Sequence, residues 1–378
     1  MTAHGRIMKT SWIWVRYLGL TLSLFSLSAH AGLLVIRPGN SGAHTAVLSF
    51  NESDGRYVTE FSADTEGFYG ITVGPDSHLY VTGNTLGYGD VFRFTPAGGS
   101  LGELANQNLT VPAGLKFGPD GNLYVTSIVF PDSSTRGQVL RYSGTNGNFI
   151  DAFIPPASGG LANPVDLLFG ENGFVYVADR NLGVLRYRST DGSFVDAFIP
   201  AGRGGLTSLT AMTFGPDGHF YVCNRDNNAV LRYDKDTGQF LDAFVASGSG
   251  GLSNPAGLVF GPDGNLYVSS GHTDSILRYN GTTGAFIDVF VPPRAGGLRA
   301  PTSLVFTPPI PQLNIQKAAS GAVIWWPAAC SNFTLVCKTG LASSAWTAVT
   351  QRAVRVGAHW CVTNDSPSAI RFYRLQKP

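Results

Sequence analysis

Short apolar runs alternate with clusters of Gly, Pro, Asn and Asp along the chain, and this alternation repeats with a long period. The apolar residue that precedes Gly-Pro-Asp, or its equivalent, recurs at spacings of 44, 52, 45, 46 and 46 residues, at Val73, Phe117, Phe169, Phe214, Phe260 and Phe306. The clearest copies are "GLKFGPDGNLYVTS" at 114 and "GLVFGPDGNLYVSS" at 257. A repeat of this length indicates one supersecondary unit that packs against copies of itself.

Each unit contains four short strand patterns, here called A to D from the inside outwards. The Pro-Asp-Gly turn joins A to B, "VLRY" at 139, 184 and 230 marks C, and "FIDAF" at 149 with its variants at 194, 240 and 286 marks D. Short aromatic and β-branched runs bounded by turn residues predict strands. The intervening "TNG" and "TTG" segments predict hairpin turns. A unit of four antiparallel strands is typical of a propeller blade.

The strand count predicts an all-β fold, a six-bladed β-propeller over residues 32–308. The chain enters on a B-strand near Leu33, and the repeats end on an A-strand, "SLVF" at 303–306. The last A-strand is therefore expected to complete the blade that residues 33–61 begin. Such closure leaves no open sheet edge.

The N-terminus has the pattern of a secretory signal peptide. Arg6, Lys9 and Arg16 flank and precede an apolar run over 18–27, and Ala29-His30-Ala31 supplies the small residues of a cleavage site. We expect cleavage before Gly32 and a secreted, periplasmic or cell-surface protein. The apolar run is short for a bilayer span, so no transmembrane segment is expected after cleavage; an uncleaved anchor is the alternative.

A second, small domain is expected at the C-terminus. Residues 309–314 form a Pro-rich linker, and strand-like runs over 315–378 predict a small β-sandwich. Ile324 and Trp326 are expected to face its core and Trp325 to face outward, because alternate residues of a strand point to opposite sides. Three cysteines, Cys330, Cys337 and Cys361, predict one disulfide with the pairing left open.

The charges differ between the two regions. Residues 32–308 carry 16 basic and 24 acidic side chains, whereas residues 309–378 carry seven basic and one acidic. An acidic propeller is unsuited to polyanions, because neutralising phosphates requires Lys and Arg, so no nucleic-acid partner is expected. The basic C-terminal domain predicts electrostatic attachment to its acidic neighbour or to an anionic surface; two separately solvated surfaces are the alternative.

Residues that recur in every copy are expected to be structural. An Arg in the C-strand and an Asp in the D-strand recur ten positions apart, for example Arg186 with Asp196. Two such residues lie opposite one another across a hairpin, which predicts cross-strand ion pairs. The recurring Asp120, Asp217 and Asp263 are expected to be turn residues for the same reason.

Function is expected where the copies differ, on the face that carries the B–C and D–A loops. The tentative ligand-binding residues on that face are listed here: Phe130, Asp179, Arg180, Arg225, Asp226, His272 and Asp274. Phe130 belongs to the longest B–C loop, 127–137, whose apolar tip predicts a partner contact; the alternative is that this loop folds over the channel. His44 and His272 are weak metal candidates, with Asp274 nearby.

The segment "VYVADRNLGVLRY" at 175–187 resembles NHL repeats, and the repeats as a whole resemble six-bladed propellers of the TolB-like superfamily. The C-terminal pattern resembles short Ig-like or fibronectin-like modules. These resemblances imply several activities, since such propellers include protein-binding scaffolds, sensor domains, lyases and, more distantly, lactonases. We expect a secreted binding or scaffold protein for a protein or glycan. The alternative is a metal-dependent lyase or lactonase at the channel mouth. No cofactor is predicted, although a metal ion is possible.

Overall fold

The structure is a computed structural model. It describes residues 32–39, 45–62, 67–85, 88–130, 135–307, 313–318, 321–327, 334–338, 346–356, 359–364 and 372–376. The predicted signal peptide, His44, Cys330 and most of the predicted linker lie outside these ranges. The chain divides into a compact unit of residues 31–308 and a second unit that includes residues 309–378. No helix in the described ranges has the length and apolar character needed to cross a membrane.

In the described part of residues 31–308, 24 strands form six antiparallel sheets of four strands each. Sheets 2 and 3 contain β4 (Gly67–Val73), β5 (Leu79–Thr85), β6 (Tyr88–Phe94), β7 (Ser100–Ala105), β8 (Val111–Phe117), β9 (Leu123–Val129), β10 (Arg136–Tyr142) and β11 (Phe149–Ile154). Sheets 4 and 5 contain β12 (Pro164–Phe169), β13 (Phe174–Asp179), β14 (Gly183–Arg188), β15 (Phe194–Pro200), β16 (Leu209–Phe214), β17 (Phe220–Asn224), β18 (Ala229–Tyr233) and β19 (Phe240–Val245). Sheet 6 contains β20 (Pro255–Phe260), β21 (Leu266–Ser270), β22 (Ser275–Tyr279) and β23 (Phe286–Val291).

Sheet 1 joins the two ends of this unit. It consists of β1 (Gly32–Arg37), β2 (Ala46–Asn51), β3 (Tyr57–Phe61) and β24 (Leu304–Phe306), with β24 paired to β1. Leu33 lies opposite Phe306 in this antiparallel pair. Beyond it, the Thr307 amide donates to the Gly32 carbonyl and the Gly32 amide donates to the Thr307 hydroxyl, each at 2.9 Å. The pairing expected for residues 303–306 is therefore present.

The sequence repeat marks the strand ends accurately. The A-strands β4, β8, β12, β16, β20 and β24 end at the predicted residues, from Val73 to Phe306. The A-strand phenylalanines pack edge-on against a B-strand tyrosine of the adjacent sheet. The pairs and their ring-centroid distances are Tyr80–Phe117 at 4.8 Å, Tyr124–Phe169 at 4.8 Å, Tyr176–Phe214 at 6.1 Å, Tyr221–Phe260 at 5.0 Å and Tyr267–Phe306 at 4.9 Å.

The apolar core lies between neighbouring sheets. Buried side chains form clusters that each span two sheets in chain order, and sheet 1 shares one cluster with sheet 2 and another with sheet 6. In the last of these, Leu33 and Phe50 pack with Ile276 and Phe290. Each sheet is thus held on both faces, and burial of these apolar surfaces is the main favourable contribution to folding.

The predicted cross-strand ion pairs are confirmed. Arg186 lies directly opposite Asp196, and its Nε atom is 3.0 Å from Asp196 Oδ1. The same guanidinium lies 4.8 Å from the ring centroid of Phe198, which adds a cation–π contact. Three further copies have the same geometry: Arg141–Asp151, Arg232–Asp242 and Arg278–Asp288. This repetition identifies the pairs as scaffold.

The predicted turn role of the recurring aspartates is also confirmed. In the A–B turn of sheet 6, Asp263 Oδ1 accepts the Asn265 amide at 3.1 Å and Oδ2 accepts the Tyr267 hydroxyl at 3.0 Å. Asp120 and Asp217 make the equivalent contacts in sheets 3 and 5. An aspartate that satisfies turn amides fixes the turn, so these carboxylates serve the fold.

The D–A loops contain short 3₁₀ turns at Ser158–Gly160, Arg203–Gly205, Ser249–Gly251 and Ala295–Gly297, and one B–C loop contains another at Gly271–Thr273. In each of the four D–A loops, the following leucine is buried. The Gly-Gly-Leu motif of these loops is therefore repeat structure, as the sequence predicts.

In the described residues of the unit that includes residues 309–378, the strands form two antiparallel sheets. One contains β25 (Asn314–Ala318), β26 (Gly321–Pro327), β30 (His359–Asn364) and β29 (Val354–Val356); the other contains β28 (Thr347–Ala348), β27 (Thr334–Lys338) and β31 (Phe372–Gln376). Side chains of both sheets share one core around Ile324, Trp326 and Leu335. The inward orientation predicted for Ile324 and Trp326 is confirmed, and Trp325 is half-buried.

Two details of this unit differ from the prediction. Strand β25 begins at Asn314, inside the segment assigned to the linker, and β29 was not predicted because a three-residue strand leaves little pattern. Cys337 and Cys361 lie in different sheets and have free thiols, as has the buried Cys223 of the first unit. A bridge between Cys337 and Cys361 is therefore not formed.

Candidate binding face and channel

A cavity of about 380 Å³ lies where the six A-strands converge. Its wall contains residues of β4, β8, β12, β16, β20 and β24, and its mouth is formed by D–A loop residues such as Asn254 and Pro301 together with Arg180 and Arg225 at the B-strand ends. The mouth therefore opens on the face that carries the B–C and D–A loops. This is the size range of small-molecule sites in proteins.

Polar and apolar atoms contribute about equally to the wall, which carries four charged side chains. The charged residues that line the cavity are Lys116, Asp166, Arg180 and Arg225, and apolar residues such as Val165 lie between them. Three of the four charges are positive, in a unit whose acidic residues outnumber its basic ones. The cavity thus has a charge opposite to that of the surrounding domain, and a charged cleft of this kind concentrates ligands of the opposite sign.

Asp166 lies deep in the channel wall and links two sheets. Between Leu209 and Met212, a β-bulge interrupts the regular pairing of the A-strand β16 with β17. The Met212 amide donates a hydrogen bond to Asp166 Oδ2 at 3.2 Å. The Leu167 amide donates to Oδ1 at 2.9 Å. Burial raises the pKa of Asp166 above its ordinary value, although the charge of Lys116 and these two amides act against the shift.

Arg180 and Arg225 occupy equivalent places in sheets 4 and 5. Each follows the last residue of a B-strand, and its amide donates to a D–A loop carbonyl, that of Asn163 at 3.0 Å and that of Ser208 at 2.9 Å. Neither guanidinium makes an ion pair or a side-chain hydrogen bond with any other residue that the structure describes. Of the predicted ligand-binding residues, these are the two that the structure brings together in the cavity.

Asp179 has a structural role. It is fully buried, and its carboxylate accepts the amides of Ala162, Asn163, Asn181 and Leu182 at 2.7–3.1 Å. Asn224 occupies the equivalent position of sheet 5 and binds the amides of the D–A loop there. Since the carboxylate of Asp179 is saturated by backbone donors, it fixes the loop that leads to Arg180 and is not available to a ligand.

The remaining polar candidates are separate from the cavity. Asp226 is exposed, and His272 is exposed with its Nδ1 atom 3.4 Å from the Ser253 hydroxyl. Asp274 accepts Arg294 Nε at 3.2 Å and the Ala300 amide at 2.9 Å, so it anchors a D–A loop. Within the described ranges no three His, Cys, Asp or Glu side chains are grouped as metal ligands. The metal hypothesis stays a prediction, because His44 lies outside those ranges.

The B–C hairpins of sheets 2 and 3 extend further than the others. Ile128 and Val129, predicted in a projecting loop, continue strand β9 and pair with Gly137 and Arg136. Phe130 follows them and is 57 % exposed, and its contact with a partner stays a prediction. Residues 131–134 lie outside the described ranges.

Sequence reasoning missed three residues of this face. Tyr88, at the tip of the sheet 2 hairpin, is 73 % exposed, while Lys116 and Asp166 lie inside repeat motifs that were interpreted as wholly structural. A comparison of equivalent A-strand positions would have found Asp166, because the other five copies have Gly, Ala or Ser there. Tyr88 precedes a degenerate copy and offers no such signal.

Solved structures with a similar fold are β-propeller proteins. The nidogen–laminin complex matches with a TM-score of 0.56 and 14% identity over 73% of this chain and 98% of that chain. A protein of unknown function from Bacteroides caccae matches with a TM-score of 0.54 and 13% identity over 73% and 99%. A virginiamycin B lyase from Staphylococcus aureus, a catalytically inactive variant with quinupristin, matches with a TM-score of 0.46 and 17% identity over 83% and 96%.

These similarities and the four-stranded antiparallel sheets define the fold as a β-propeller. Identities this low carry the fold alone. No protein-family model and no curated protein matches the sequence.

Proposed function

We propose that residues 32–308 form a six-bladed, NHL-like propeller closed by β24. The strand pairing of Leu33 with Phe306 and the apolar cluster shared by sheets 1 and 6 support closure. We also propose that the second unit is an Ig-like or fibronectin-like module, supported by its two sheets around one core.

On this scaffold we propose an exported binding protein that recognises a protein or glycan through its B–C and D–A loop face. The observation that carries this proposal is the exposure of Tyr88 and Phe130 on two extended hairpins of adjacent sheets. Exposed aromatic side chains bury large areas on binding at a small cost in side-chain entropy. By contrast, the aromatic and arginine side chains that recur in the repeat motif contact other residues of the scaffold, as Tyr176 contacts Phe220 and Arg186 contacts Asp196.

The N-terminal pattern supports export to the periplasm, the cell surface or the medium. The basic C-terminal module, with seven basic and one acidic residue, would assist attachment to an anionic surface. Such an attachment is screened by salt, so we expect it to weaken as ionic strength rises.

The test is a paired substitution on the face and a matched one elsewhere. Tyr88→Ala with Phe130→Ala removes the two aromatic rings, and Ile150→Ala with Leu241→Ala removes two D-strand side chains that are each 44 % exposed. Binding to arrayed envelope glycans and to cross-linked envelope proteins is measured with all three forms. We expect the face variant to lose about tenfold or more in affinity, as hot-spot aromatics do, and the control to bind normally. Equal binding by the face variant would contradict the proposal.

A further inference from the structure

The charges of the channel wall are confined to one side. Three equivalent positions in the six copies line the cavity or its rim. The first position lies three residues before the end of the A-strand and holds Gly70, Gly114, Asp166, Ala211, Gly257 and Ser303. The second lies one residue before that end and holds Thr72, Lys116, Leu168, Thr213, Val259 and Val305. The third lies at the end of the B-strand and holds Pro38, Asn84, Ile128, Arg180, Arg225 and Gly271. All four charged residues belong to sheets 3, 4 and 5, whereas sheets 1, 2 and 6 contribute none at these positions.

The two inner charges offset one another. The positive charge of Lys116 acts on the Asp166 carboxylate, whose oxygens are already occupied by the Met212 and Leu167 amides. A carboxylate fixed in this way neutralises the ammonium without approaching the mouth. Arg180 and Arg225 therefore account for the excess positive charge of the cavity.

Two other arginines of this face, Arg203 and Arg294, already have partners, whereas Arg299 is exposed and does not line the cavity. Arg203 donates to the carbonyls of Phe198 and Gly238, each at 3.0 Å, and Arg294 is paired with Asp274. Arg180 and Arg225 have none among the described residues, yet their backbones are fixed by the loop contacts of Asp179 and Asn224. Two guanidinium groups without a counter-ion among the described residues, carried by fixed backbone positions at the mouth of a partly apolar cavity, are suited to bind an anion.

We propose that Arg180 and Arg225 bind the anionic group of a small organic acid, a carboxylate or a phosphate, whose apolar part enters the channel. Guanidinium recognises both groups through paired, charge-assisted hydrogen bonds. The apolar part would contact Val165, Val259 and Val305, which line the cavity and are partly exposed. The inference rests on the proposed binding function and specifies the chemistry of its central site.

The size and surroundings of the site favour a small molecule over a polyanion. A cavity of about 380 Å³ accommodates a compact ligand. A polyanion would extend across the rest of a unit that carries 24 acidic and 16 basic residues, and it would be repelled there.

The test uses the full mature chain and four defined probes. Benzoate and phenyl phosphate carry an apolar ring with either anion, inorganic phosphate lacks the ring, and benzamide lacks the charge. Binding is measured by isothermal titration calorimetry for the wild type and for Arg180→Gln, Arg225→Gln and the double variant. The matched control is Arg188→Gln, which removes an exposed arginine of β14 that does not line the cavity.

We expect benzoate or phenyl phosphate to bind. Benzamide should bind at least about tenfold more weakly because it loses the charge-assisted contact. Inorganic phosphate should bind at least about tenfold more weakly because it loses the apolar contact of the ring. Each single Gln variant is expected to lose about tenfold in affinity and the double variant to lose binding. A further variant, Arg180→Lys with Arg225→Lys, keeps the charge but not the paired geometry, so we expect an intermediate affinity. Whichever anion binds more tightly identifies the ligand as a carboxylate or a phosphate.

Several results would overturn the inference. These are the absence of binding by every anionic probe, unchanged affinity in the double Gln variant with a native circular dichroism melt, or equal loss in Arg188→Gln. If inorganic phosphate bound more tightly than phenyl phosphate, the apolar part of the ligand would not enter the channel. If the probes fail while Tyr88 and Phe130 still support binding of a protein or glycan, the anion site is wrong and the proposed function stands.

Discussion

Arg180 and Arg186 lie six residues apart in one hairpin and differ in what they contact. Arg186 is paired with Asp196 and stacks on Phe198, as its counterparts do in three other sheets. Arg180 occupies a position where one other copy has Arg225 and the remaining copies have Pro, Asn, Ile or Gly, and it lines the cavity. Repetition distinguished the two from the sequence alone, because a residue that serves every copy serves the scaffold.

The same reasoning failed where burial decides the role. Asp179 breaks the repeat and was predicted to bind a ligand, but it is fully buried and its carboxylate is occupied by four backbone amides. Its counterpart Asn224 does the same with a different side chain. A position can vary among copies and still have one structural task, since both an amide and a carboxylate oxygen accept backbone hydrogen bonds.

The turn aspartates predict a pH dependence. Burial alone would raise the pKa of Asp263, but hydrogen bonds from Asn265 and Tyr267 and the charge of Arg278 outweigh burial and lower it. A carboxyl whose pKa is lower in the folded state adds stability above its unfolded pKa, about 4, and that stability is lost as the pH falls through the folded pKa. Asp263→Asn should therefore lower the free energy of unfolding by about 1–2 kcal/mol at pH 7 and by less at pH 3.

Urea unfolding followed by circular dichroism at the two pH values measures this difference. Asp226→Asn is the control, because Asp226 is exposed and does not belong to the turn network of the described residues. A penalty for Asp263→Asn that is the same at pH 3 and pH 7 would show that the charge of Asp263 does not stabilise the turn.

At the scale of elements, the bulged A-strands determine the shape of the channel. Their ladders shift by one residue in each of sheets 2 to 6, for example between Pro255 and Leu258. In sheet 6 the bulge holds Gly257 so close to the next A-strand that an added Cβ atom would lie 2.3 Å from the Thr302 carbonyl oxygen. The sequence predicted where these strands end but not their bulges, because a bulge depends on the neighbouring sheet.

We expect Gly257→Ala to destabilise the propeller by about 2–3 kcal/mol, since a Cβ atom there must push the two inner strands apart. Gly264→Ala is the matched control: Gly264 has a φ of 77° but open space around it, so only its backbone strain is tested, at about 1 kcal/mol. Residues 32–308 contain no tryptophan, so thermal melts are followed by far-ultraviolet circular dichroism. A smaller loss for Gly257→Ala than for Gly264→Ala would contradict the close approach.

The extended hairpins show a second limit of sequence reasoning. The 52-residue spacing revealed the insertion around Phe130, yet Ile128 and Val129 continue a strand instead of forming a loop. Both are β-branched, and such side chains suit a paired strand. Periodicity locates an insertion, while the residue types within it determine its conformation.

At the scale of the whole molecule, sheet 1 depends on residues that are about 270 positions apart in sequence. The hydrogen bond between Gly32 and Thr307 spans 275 positions, and Leu33, Val35 and Leu304 are buried by the pairing. The repeat count predicted this pairing because the chain begins on a B-strand and the repeats end on an A-strand. The small second unit was harder to predict, since it has no internal repeat to compare.

Two truncations test the role of this shared sheet. Ending the chain after residue 308 removes the second unit and leaves β24, whereas ending it after residue 302 also removes β24 and uncovers β1. We expect the longer form to melt cooperatively and the shorter form to melt about 10 °C lower or to aggregate, because an uncovered apolar strand edge pairs with other chains. Equal melting temperatures would show that β24 contributes nothing to the stability of the propeller.

The pairing of β1 with β24 also has a mechanical consequence. The strands are antiparallel, and Gly32 and Thr307 lie side by side at the same end of the pair. A tension applied between residue 32 and the chain after residue 307 would pull these two neighbouring residues apart and would load the hydrogen bonds of the pair one after another, as in unzipping. Under such a load, the pairing of β1 with β24 is the first place at which sheet 1 would open.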